Sequence, residues 1–153
     1  MPRPAEYDAL LKIGSFKPAA SSPASIAQFL RTAQDMLTAT AASMPDSARF
    51  LLAYEGMFSV VMAVLEFHAV RPGDAGGHRA TAIQRVAADL QLDAAQQSVL
   101  ARLHDMRNRV TYRAPLPPIN KADADAMQAV LQALLPTART LIEGTAKAPL
   151  TSP

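Results

Sequence analysis

Apolar residues recur along this chain every three or four positions and almost nowhere every two, so the pattern predicts helices throughout. Glu6 to Ile13 fits a short first helix ended by Gly14, and Lys17 to Ser22 reads as a flexible connection. Pro23 suits a first helical turn behind Ser22. Ile26, Phe29, Leu30, Ala33, Met36, Leu37 and Ala41 then share one face, which predicts a long amphipathic helix ending before Pro45. Asp46 to Val70 is apolar nearly all round, as expected of a helix enclosed by several neighbours or by a second subunit. Arg71 to Gly77 is expected to be a loop, and from His78 a shorter helix turns Ile83, Val86, Ala87 and Leu90 inward. Asp93 with Gln96 forms a capping-box signature, and the helix it opens must stop before Pro115-Leu116-Pro117-Pro118. Asn120 with Asp123 opens a last helix whose inward face is Met127, Val130, Leu131, Leu134, Ala138, Leu141 and Ile142, with Pro136 expected to bend or break it. The pattern predicts one all-α domain over residues 1–153, with partly flexible ends at 1–22 and 146–153.

Composition narrows the classes of function. Half of the 153 residues are hydrophobic, enough for a real core. Fifteen Lys and Arg against 13 Asp and Glu leave a net charge of +2, too small to predict nucleic-acid binding without local clustering. The absence of cysteine excludes thiol catalysis, thiolate metal sites and disulfides, and makes the cytoplasm the expected compartment. Met1-Pro2-Arg3-Pro4 leads into polar sequence, and Phe50 to Leu65 is interrupted by Glu55 and short for a span, so neither a signal peptide nor a membrane is expected. Gly73, Gly76 and Gly77 lack the preceding strand and following lysine of a phosphate loop. His68 and His78 come without a carboxylate pattern, so no metal and no cofactor are expected.

The chemistry concentrates in Leu103 to Tyr112. Val99, Leu100, Leu103 and Val110 form an apolar sector, and Arg107 projects from its middle. A guanidinium keeps its charge, so it must be paired or must line a cleft that receives an anion. Glu55 and Glu66, eleven residues apart on one stripe of the central helix, are its expected partners. An ion pair that braces two helices and a contact to an anion both remain open. His104 and Asn108 flank Arg107, with Tyr112 one turn beyond. His104 reads as a partly exposed helix residue whose side chain belongs to the right class for a base. Arg102, Arg109 and Arg113 recur at i, i+7 and i+11 as a basic stripe, a solvated face or a track for phosphates. Tyr54 and Phe58 are expected in the core or in a dimer interface.

Arg107 followed by Asn108 resembles the signature helix of the HEPN superfamily, in which an arginine precedes Asn, Asp or His and then, three to five residues on, a histidine. Tyr112 stands in place of that histidine, and Thr111 where an aspartate often sits, as in members that keep arginine and tyrosine alone. Leu52-Ala53-Tyr54-Glu55-Gly56-Met57-Phe58 and Gly77-His78-Arg79-Ala80 resemble further segments of the family, so the likeness runs in order from Leu51 to Tyr112. It implies an up-and-down bundle of four to six helices, a homodimer, and either metal-independent RNA cleavage or noncatalytic binding. The expectation is a dimeric domain that binds nucleotide or RNA phosphate through Arg107, Asn108 and Tyr112, aided by Arg109, Arg113 and Glu55, without efficient cleavage. A phenol ionises near pH 10, which makes tyrosine a poor base. One alternative is a toxin-like endoribonuclease in which His104 or a partner-chain residue accepts the proton; another is a module for protein interaction. The resemblance also allows a nucleotidyltransferase or antitoxin partner, with Tyr112 as a point of nucleotide attachment.

Overall fold

The computed structural model describes residues 3–147 of the chain. Among them are six α-helices and one two-stranded ribbon: α1 (Ala5–Lys12), β1 (Phe16–Pro18), α2 (Pro23–Ala39), α3 (Asp46–Phe67), β2 (Val70–Pro72), α4 (His78–Asp89), α5 (Ala94–Asn108) and α6 (Lys121–Lys147), with a π-helical turn at Arg109–Arg113 after α5. The fold is an all-α bundle.

Helix α3 is its axis. Eleven of its residues are buried, from Phe50 to Leu65, because α2, α4, α5 and α6 all pack on it. Gly56 marks the tightest approach, where a methyl group would come within 2.7 Å of Leu131 on α6 and 3.2 Å of Met36 on α2. By length and composition α3 would pass for a membrane span, longer than its apolar stretch suggests, yet here neighbouring helices cover much of its surface.

The caps explain the boundaries. Ser22 Oγ accepts from Ser25 N, and Pro23 occupies the first turn of α2. Asp93 and Gln96 bond reciprocally at 2.7 and 2.9 Å, as do Asn120 and Asp123 at 2.8 and 3.2 Å. Helix α5 relaxes into the π turn, closed by Ala114 N donating to Arg109 O at 2.7 Å, before Pro115 forbids continuation.

Three expectations change. Lys17 and Pro18, and Arg71 and Pro72, read as connections, belong to β1 and β2, which pair antiparallel with Lys17 opposite Arg71, and Val70, expected to end the central helix, opens β2 because α3 stops at Phe67. Strands of three residues, each ending in proline, are too short to show alternation. Tyr7 and Phe16 are both buried, so the segment expected as a loose end is anchored; residues 148–153 lie outside the described residues. Finally, Pro136 neither breaks nor ends α6. It lies on the exposed side with Gln132, whose orphaned carbonyl can face water, while Leu134, Leu135 and Ala138 hold the helix on the core.

Candidate functional site

Helix α5 places His104, Arg107 and Asn108 on adjacent turns against Tyr54 and Glu55 of α3. Arg107 Nη2 donates to Glu55 Oε1 at 3.2 Å and Nη1 to Asn108 Oδ1 at 3.2 Å. Its guanidinium carbon lies 4.8 Å from the Tyr54 ring centre and 5.3 Å from that of Tyr112. The Arg107 side chain is 11% exposed, whereas Glu55 is 43% exposed, so the pair is shielded on one side and open to solvent on the other. Arg107 Nε is buried and finds no acceptor among the described residues.

A hydrogen-bond relay runs inward from that arginine. Because a guanidinium only donates, the Asn108 atom facing it must be oxygen, and the amide nitrogen therefore faces His104 Nε2 at 3.2 Å. That nitrogen also only donates, so Nε2 accepts and the imidazole proton sits on Nδ1, 2.9 Å from Tyr54 Oη. The Tyr54 oxygen accepts in turn, leaving its own proton free to donate. Burial holds the His104 pKa below the usual imidazole value; Asp105 opposes this, while the cations Arg79 and Arg107 reinforce it. Burial also raises the Tyr54 phenol, against the pull of Arg79 and Arg107. The neutral histidine of this relay is therefore fixed in one tautomer.

Sequence reasoning placed His104 at a partly exposed position, but the ring is 6% exposed because it packs flat beside Tyr54, with ring centres 6.0 Å apart. Its acceptor nitrogen is occupied by Asn108, which makes it a positioning group for Tyr54 and Asn108. Glu66 does not reach Arg107. Eleven residues separate it from Glu55 by about 16 Å along the helix, and it instead accepts from Ser22 N and Ser25 Oγ at the start of α2. Tyr112 joins the cluster from the π turn, with 71% of its surface exposed.

Arg109 and Arg113 point elsewhere. Arg109 donates to Ala114 O and Pro117 O, at 3.3 and 2.9 Å, and Arg113 reaches Asp105 O at 3.5 Å. Arg102 lies 3.5 Å from Asp123. The basic stripe is thus engaged largely in holding the end of α5 and the proline loop. The residue missed by pattern alone is Arg79, the second residue of α4, whose guanidinium lies 4.0 Å from the Phe58 ring centre and whose Nη1 is buried without an acceptor among the described residues. The only sequence signal for it was its place in a short segment of likeness. His68 rests on Tyr7, with ring centres 4.5 Å apart, and burial lowers its pKa. No three His, Asp or Glu among the described residues could jointly hold a metal ion.

No family model, curated protein or solved structure matches this chain.

Proposed function

We propose that the protein is a HEPN-like domain that binds the phosphate of a nucleotide or RNA at Arg107, Asn108 and Tyr112, without efficient cleavage. The observation that carries this reading is the donor excess at Arg107. Glu55 and Asn108 take its two terminal nitrogens, but Nε faces no acceptor among the described residues, and Tyr54 and Asn108 hold the group in place. A fixed, half-shielded guanidinium meets an incoming oxyanion with little reorganisation. Tyr112, exposed at its edge, is free to stack on a base. Cleavage lacks its proton acceptor, since the acceptor nitrogen of His104 is buried and already bonded.

A homodimer belongs to the same reading. Leu51, Tyr112 and Leu116 are exposed apolar residues beside the cluster, next to a shallow depression lined by Leu51, Val110, Pro115 and Ile119. Contact there would bring the two sites together around their π turns.

Titration with 5′-AMP and with a short RNA in EDTA tests the proposal. Binding that weakens with salt, falls at least about tenfold in Arg107→Ala and leaves the RNA intact is expected. Absence of binding to either ligand refutes it. Cleavage in EDTA that Arg107→Ala abolishes would instead establish the endoribonuclease alternative.

A further inference from the structure

Helices α2 and α6 both close on Gly56 of α3, through Met36 and Leu131. Away from that contact a groove of about 530 Å³ lies between them. Pro23, Ile26, Ala27, Leu30, Arg31 and Gln34 line one wall at i, i+3, i+4, i+7, i+8 and i+11, which makes them a single stripe of α2. Arg139, Ile142 and Glu143 of α6 line the other, and Phe67, the last residue of α3, joins them. No residue of α5 takes part, so the groove is separate from the Arg107 cluster.

Chemistry and dimensions together limit the occupant. Ile26, Leu30, Phe67 and Ile142 offer hydrocarbon, against which the polar groups of a base or sugar would lose their hydrogen bonds to water. The charged groups leave the groove positive. Arg139 meets only the half-exposed Glu143, at 3.8 Å, and Arg31 is exposed and forms no ion pair among the described residues. From Pro23 to Gln34 the stripe runs about 16 Å. Spread along that length, the groove is about 30 Å² in cross-section, far narrower than a helix of about 10–12 Å diameter. One hydrocarbon chain fits such a channel, and the two chains of a phospholipid do not. We infer that the groove binds a single-chain aliphatic carboxylate, a medium-chain fatty acid, lying along α2 with its head group at Arg31 and with Arg139 on the opposite wall. Burial of the chain supplies the affinity, and a guanidinium matches a carboxylate in shape and charge.

Calorimetric titration of the full chain with octanoate, decanoate and dodecanoate, each below its micelle concentration, tests this. Saturable binding should tighten about tenfold for each added pair of methylenes until the groove is full, and decanol and decylammonium should bind more weakly than decanoate. Ala27 is exposed, so Ala27→Phe obstructs the groove without disturbing the core and should weaken decanoate binding about tenfold or more. Arg31→Gln combined with Arg139→Gln should erase the preference for decanoate over decanol and leave thermal unfolding nearly unchanged, since both positions lie at the surface. Absence of saturable binding by all three acids overturns the inference. So does decanoate binding that Ala27→Phe leaves intact, which would place the chain elsewhere, and so does equal binding of acid, alcohol and amine. A mass by light scattering that Ala27→Phe lowers would assign the groove to a second copy of the chain and overturn the inference as well. None of these outcomes touches the binding of 5′-AMP at Arg107, which is measured separately.

Discussion

Asn108 matters because it has both a donor and an acceptor, and Arg107 on one side decides which faces His104 on the other. One mostly buried guanidinium thereby sets the proton position on a buried ring beside Tyr54. Burial depresses both His104 and His68 below the ordinary value of 6.5. As the pH falls through 6.5, the unfolded chain binds protons that the folded chain refuses, so stability is present above that pH and is lost toward acid. Burial raises Tyr54 and Tyr7 above 10.0, the latter aided by its hydrogen bond to Asp89. The unfolded chain then releases its phenolic protons first, and stability is also lost as pH rises past 10. Urea unfolding across pH should therefore show a plateau between these limits. His104→Gln should shallow the acid limb, and an unaltered acid limb would show that His104 does not contribute to it. From sequence, Arg107 and Glu55 were legible because a charge inside an apolar stripe demands a partner. Arg79 was not, since its burial depends on the aromatic face of another helix.

Periodicity and capping chemistry account for most of the elements. The reciprocal caps at Asp93 and Asn120 mark starts that a reader of residues can find, because the partners are only three positions apart. The β1–β2 ribbon depends on residues more than fifty positions apart, and nothing local announces it. The π turn depends on one register shift in hydrogen bonding, equally silent in composition. Pro136 shows tertiary context overriding propensity: burial on both sides of it keeps α6 whole. Replacing it with alanine restores a backbone donor on an exposed surface, and Pro136→Ala should stabilise the protein by about 1–3 kcal/mol. The midpoint of urea denaturation measures this, and a lower midpoint would mean that α6 needs the proline.

At the scale of the molecule, the all-α class followed from the pattern, while the arrangement of helices around α3 emerged only in three dimensions. The proposed pairing of two copies is testable by light scattering. The parent should weigh as a dimer at micromolar concentration and Leu116→Asp as a monomer with unchanged helicity, and a monomeric parent would remove the dimer from the proposal. The N-terminal segment has a larger role than its position suggests. Arg3 donates to His68 O, Tyr7 to Asp89 at 2.6 Å, and Ala19 N to Ala69 O, beside the paired strands. Cutting the chain ahead of Ala19 would therefore bare the polar backbone edge of residues 70–72 and uncover the apolar hollow vacated by Tyr7 and Phe16. The shortened protein should associate edge to edge and precipitate on concentration. The leading segment thus serves as a built-in guard against self-adhesion.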